Sequence, residues 1–101
     1  MRQFDVVENP SASLRRHAPF LVILQSHLLD VLETVVVAPL VVDADRPVTV
    51  IDLPVAYADR TFVAIAEMAS VDRGHLKGAL GSLAGHEDAI RRALDKTFTG
   101  F

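Results

Sequence analysis

HEDAIRRALDKTFTGF, residues His86–Phe101, is the part of the sequence with a clean helical period, and it closes the chain. Ile90, Leu94, Phe98 and Phe101 recur at i, i+4, i+8 and i+11, with Ala93 and Thr97 beside them. Glu87, Arg91 and Asp95 occupy the other face, with Asp88, Arg92 and Lys96 alongside. Glu87–Arg91 and Asp88–Arg92 have the favourable acid-before-base order at i,i+4. Acids in the first turn and Lys96 in the last complement the helix dipole. Gly100 is a natural stop. The spacing predicts a terminal amphipathic helix held to the barrel and the dimer by Ile90, Leu94 and Phe98.

Upstream, as far as about Val71, the chain speaks a different language. Gln3–Val7, Phe20–Gln25, Thr34–Val42, Val48–Val55 and Thr61–Met68 are short runs rich in Val, Ile, Phe, Leu and Thr. Each has strand length, and the breaks "ENPSAS", "DADRP" and "YADR" suit loops and hairpins. In "TFVAIAEM", Phe62 and Ile65 fall on opposite faces, so both faces of that strand should be covered. Pro39 and Pro54 sit inside apolar runs and predict edge strands or bulges. The connecting "HLKGALGSLAG" is ambiguous, because its glycines weaken any helix. Strands followed by one C-terminal α-helix give a mainly β fold: an antiparallel sheet or small barrel with a helix packed on it.

The chain has 101 residues, half of them apolar, which suits one domain over residues 1–101. A domain of this size is marginal alone, so a homodimer is a reasonable expectation. The net charge of −3 offers no broad basic field for direct nucleic-acid binding. Cysteine is absent, which excludes disulfides and thiolate chemistry. The N-terminus lacks a signal-peptide pattern, and Val35–Val42 is too short to span a bilayer. A cytoplasmic protein without membrane contact is expected.

The catalytic inventory is thin. No two of His17, His27, His75 and His86 stand at the spacing of a zinc site, so no metal or other cofactor is expected. Asp43 and Asp45 read as a solvated turn, and Glu87 and Asp88 as a helix start. Ser26–His27 has no nucleophile elbow around it, and "GALGSLAG" lacks the lysine of a phosphate loop. One tyrosine and no tryptophan leave little for base stacking. Nothing here demands an enzyme.

Four stretches in register carry a family resemblance: "LQSHLLD" at Leu24–Asp30, "VAPL" at Val37–Leu40, "EMASV" at Glu67–Val71 and the closing "HEDAIRRALDKTFTGF". Together they resemble the CcdB toxins of bacterial toxin–antitoxin modules. The likeness covers nearly the whole chain, is ungapped from Met68 to Phe101, and is weaker over Glu8–Ala18 and Val41–Tyr57. It implies an SH3-like barrel of the CcdB/MazF type with a C-terminal helix, acting as a homodimer. It implies a protein inhibitor of DNA gyrase that binds the GyrA subunit and traps the cleaved DNA complex. A CcdA-like antitoxin neutralises such a toxin.

By position, the resemblance assigns gyrase binding to Ser26, Leu28, Leu29, Glu87, Asp88, Arg91, Asp95, Thr99, Gly100 and Phe101. It assigns antitoxin binding to the first hairpin, including Arg15 and Arg16, which suit an acidic partner. Well-studied members end Trp-Gly-Ile where this chain has Thr99, Gly100 and Phe101. A large aromatic at an interface centre contributes about 2 kcal/mol or more, some thirtyfold in affinity. Two other roles are compatible with the residues. One is a degenerate toxin that only sequesters antitoxin. The other is a MazF-like mRNA endonuclease, for which His27, Thr34 and Arg60 are the available candidates.

Overall fold

A computed structural model describes residues 2–26, 31–42, 52–55 and 61–99. Among these, the strands run β1 (Asp5–Glu8), β2 (Phe20–Ile23), β3 (Thr34–Val42), β4 (Asp52–Val55), β5 (Thr61–Ala64), β6 (Ala69–Asp72) and β7 (Gly81–Ser82), followed by helix α1 (Glu87–Thr99). The sheet order is β4-β5-β3-β2-β1-β7, with β6 also on β3, and every pairing is antiparallel.

β3 organises the sheet. Its nine residues are long enough to take two partners in series along one edge. Thr34–Val37 pair with β6, and Leu40–Val42 pair with β5. β2 occupies the other edge, with Ile23 opposite Val37 and Phe20 opposite Leu40. From β6 the chain returns through residues 73–80 to β7 on the far side of β1, which curls the sheet into a half-barrel.

Alternation along the strands gives two buried faces, as period-two geometry requires. Val6, Val22, Leu24, Ala38, Leu40, Val63 and Ile65 form one core with Ile90 and Ala93 of α1. Val7, Leu21, Ile23, Val35 and Val37 form a second on the opposite face, closed by Val71 and Leu76 of the returning segment. Ala18, Val41, Phe62 and Ala64 form a third cluster. Phe62 and Ile65 therefore do lie in different cores, and β5 is buried along its whole length. The Thr61–Met68 run stops being a strand at Ala64 and tightens into a 3-10 turn over Ile65–Glu67.

The two prolines have different reasons. Pro54 lies on β4, which pairs only with β5 among the described residues, as an edge position allows. Pro39 corrects the expectation, because β3 is an interior strand. Val36 accepts from Leu24 N–H and donates to Gln25 Oε1, so even-numbered residues of β3 turn their polar groups toward β2. Pro39, with its missing N–H, turns toward the opposite edge, in the gap between Val37, where β6 ends, and Leu40, where β5 begins. The ring sits where the ladder needs no donor.

Phe4 is the other local exception. Asp5 N–H closes a tight turn onto the Arg2 carbonyl at 3.1 Å, and Asp5 Oδ2 accepts from Arg2 N–H at 2.8 Å. Phe4, third in that turn, has φ 70°. A non-glycine residue there costs about 1–2 kcal/mol. Its ring is only 2% exposed, and burying a phenylalanine returns about 1.5–3 kcal/mol. The backbone is also pinned on both sides, by Phe4 N–H to Ile23 O and by Leu83 N–H to Phe4 O.

Candidate functional site

α1 begins at Glu87 and runs to Thr99, within a residue of the extent read from its period. Glu87 and Asp88 lie in its first turn and Lys96 in its last. Ile90 is fully buried, Ala93 nearly so, and Leu94 packs half-buried against the same core. Phe98 does not follow them. It is 72% exposed in the single chain, which corrects the part of the expectation that has it packed on the barrel and leaves the part that has it facing a second copy. Each step of four residues advances about 40° around a helix, so the row from Ile90 through Leu94 has turned off the core by Phe98.

That drift brings Phe98 beside the polar face. Asp95 and Leu94 are its neighbours at i−3 and i−4, and Arg91 lies two turns below in nearly the same direction. Asp88, Arg91, Asp95 and Thr99 are exposed and Glu87 half-buried, so the candidate residues on α1 share one accessible surface with an uncovered aromatic. Arg91 Nε donates to Glu87 Oε2 at 3.1 Å, the i,i+4 pair anticipated from the sequence. Its Cζ lies 5.9 Å from the centroid of the Phe4 ring. Thr97 and Thr99 turn their hydroxyls back onto the carbonyls of Ala93 and Asp95.

Ser26, just after β2, is half-buried. Leu28 and Leu29, and the tail residues Gly100 and Phe101, lie outside the described residues. Just after the first of these gaps, Val31 is 89% exposed and Leu32 47%, so the β2–β3 connection presents apolar side chains of its own.

The β1–β2 loop carries Arg15 and Arg16, both exposed. Arg15 Nη1 pairs with Glu8 Oε1 at 3.1 Å, and Lys77 Nζ lies 3.7 Å from Glu8 Oε2. Arg16 supplies further positive charge at the loop surface. The loop is held by buried Asn9. Its N–H donates to Pro19 O, its Nδ2 to Ala18 O at 2.9 Å, and its Oδ1 accepts from Ser11 N–H at 3.0 Å. Beneath it lies a groove of about 410 Å³ lined by Asn9, Leu14, His17, Ala18, Pro39, Val41, Glu67 and Ala69. The groove is mainly apolar, with Leu14 55% exposed at its rim.

Of the residues weighed for catalysis, Thr34 is exposed at the start of β3, opposite Asp72 of β6. His27, Asp43, Asp45 and Arg60 lie outside the described residues. Among the described residues no group of histidines and carboxylates is placed to hold a metal ion, and no helix is long and apolar enough to cross a membrane.

Phe98 is the functional candidate that sequence reasoning missed. Its signal was the angular drift of an i+4 row, visible once Ile90 is taken as the centre of the buried stripe.

Known structures share this architecture. The Mycobacterium tuberculosis toxin MazF-mt6 is similar with a TM-score of 0.70 at 19% identity, covering 96% of each chain. An endoribonuclease from a mycobacterial species, solved in complex with its cognate antitoxin, gives a TM-score of 0.69 at 12% identity, over 96% of this chain and 93% of that one. At such identities the likeness is one of fold. No curated protein matches in sequence. The family model for CcdB protein matches residues 3–100, so the chain belongs to the CcdB family of toxin–antitoxin toxins.

Proposed function

We propose that this protein is the toxin of a type II toxin–antitoxin module that binds the GyrA subunit of DNA gyrase and traps the enzyme on cleaved DNA. The observation that carries this reading is the family match together with a C-terminal helix whose polar face and Phe98 are uncovered. The toxin contributes a surface rather than a reaction: gyrase supplies the chemistry, and the inhibitor stabilises one state of it. Arg91, Asp95 and Thr99 form the polar rim, Phe98 an apolar anchor beside it, and Ser26, Leu28, Leu29, Gly100 and Phe101 extend the surface. The protein works in the cytoplasm as a homodimer.

A CcdA-like antitoxin occupies the β1–β2 loop, where Arg15 and Arg16 meet an acidic segment and the adjoining groove takes apolar side chains. The deciding experiment is plasmid cleavage with the cognate gyrase. Linear, protein-linked DNA should accumulate at micromolar toxin. Its absence, with growth unaffected on expression, leaves the role of sequestering antitoxin. The MazF-like fold also keeps mRNA cleavage in view as a second reading. It requires metal-free RNA cleavage that disappears in Arg60→Ala.

A further inference from the structure

Arg91 is a candidate gyrase contact whose side chain is held from two directions. Nε is taken by Glu87 Oε2 at 3.1 Å, and the guanidinium lies over Phe4, with Cζ 5.9 Å from the ring centroid. Phe4 comes from the opposite end of the chain. It reaches this place only through a left-handed turn, φ 70°, that would ordinarily select glycine or asparagine. Strain of this kind persists where surrounding structure over-determines it and clusters at functional surfaces. Here the over-determination is visible: two backbone hydrogen bonds fix Phe4, and its ring is buried among Ile90, Ala93 and Leu83.

We propose that Phe4 is a positioning residue for the gyrase-binding face of α1, its ring fixing the Arg91 guanidinium so that the terminal amino groups are pre-organised to take a carboxylate of the partner. This rests on the gyrase reading above. An arginine head with Nε already engaged still carries the planar fork that matches a carboxylate. Among the described residues no hydrogen bond engages Nη1 or Nη2 of Arg91. A long side chain ordered before contact spares the binding step the loss of its rotamer freedom. A cation over an aromatic face also keeps the head in place without neutralising its charge.

Two measurements on the full-length protein test this. In the free wild type, the Arg91 Hδ protons should resonate upfield through the ring current of Phe4, and return toward random-coil positions in Phe4→Leu. Random-coil shifts in the wild type overturn the proposal whether or not the variant folds. The second is a cycle of Phe4→Leu, Arg91→Gln and the double variant, titrated against the GyrA dimerisation fragment. Phe4→Leu should weaken binding about three- to tenfold, and have no further effect once Arg91 is glutamine. Equal losses in both backgrounds, or unchanged affinity with only a lower melting temperature, assign Phe4 a purely structural role and overturn the proposal. A wild type that binds no GyrA overturns the gyrase reading and this inference with it. Binding without coupling overturns only the inference.

Discussion

Asn9 and Ala18 are joined across the base of the β1–β2 loop, Nδ2 donating to the carbonyl at 2.9 Å, with Asn9 only 6% exposed. The same side chain accepts from Ser11 N–H through Oδ1, so one buried amide sets the loop that carries Arg15 and Arg16. Asn9→Ala leaves the Ala18 carbonyl and Ser11 N–H without these partners. The expected cost is about 1–3 kcal/mol, enough to lower the melting temperature by about 4 °C or more in a chain of this size. Antitoxin affinity should fall as well, because the loop loses its shape before binding. An unchanged melting curve would show that Asn9 does not hold the loop.

Position along β3 decides what proline does there. Ala38 turns its N–H toward β2, opposite Val22, whereas Pro39 turns toward the gap between β6 and β5. Ala38→Pro should therefore cost about 3 kcal/mol or more and leave little folded protein. Pro39→Ala should cost no more than about 1 kcal/mol, chiefly through a freer unfolded chain. Chemical denaturation of the two variants compares neighbouring residues on one strand. Equal destabilisation would contradict the assigned facing of β3.

The sequence was legible where burial wrote a period and illegible where pairing came from elsewhere. Thr34–Val42 is a run of β-branched residues, and its bounds as a strand match the reading. α1 was equally clear, because acids, bases and an apolar row all fix one helix. β6, Ala69–Asp72, is small, polar and mostly exposed, and exists because β3 offers it an unpaired edge. A long-range partner of that kind leaves no local mark. β7 is two residues inside a glycine-rich stretch, too short for any pattern. Phe4 hid for the opposite reason: nothing about a phenylalanine announces a left-handed turn. At the candidate site the polar face of α1 could be read residue by residue. Phe98 shares the i+4 row of Ile90 and Leu94, but two steps of about 40° carry it off the barrel, a drift that the row alone does not display.

Ile90 and Phe98 stand on one helix and should separate stability from function. Ile90 is fully buried in the core shared with Phe4, Val22 and Leu40. Ile90→Ala should cost about 2–5 kcal/mol, a large part of the about 5–15 kcal/mol of a typical domain. Phe98→Ala should change stability by no more than about 0.5 kcal/mol, since its ring is mostly in solvent. The same substitution should weaken GyrA binding about tenfold or more, as removal of an aromatic anchor does. Parallel losses of stability in both variants would place Phe98 in an interface between copies of the chain. Melting temperatures measured over a range of protein concentrations would show that as a concentration dependence.

The end of the chain gives the sharpest test of the gyrase reading. Ala93 is the last buried residue on α1, and past it Leu94 and Thr97 are half-buried and Asp95, Lys96, Phe98 and Thr99 exposed. Removal of Gly100 and Phe101 should leave stability within about 0.5 kcal/mol of the full chain. It should abolish growth arrest and the trapping of cleaved plasmid, if Thr99, Gly100 and Phe101 complete the surface that Phe98 and Arg91 begin. Phe101→Trp should act in the opposite direction, since a larger aromatic at an interface centre adds contact area. A truncated protein that still traps cleaved DNA at the wild-type concentration would move the gyrase contact off the tail. It would leave the polar face of α1, with Phe98, as the surface to map.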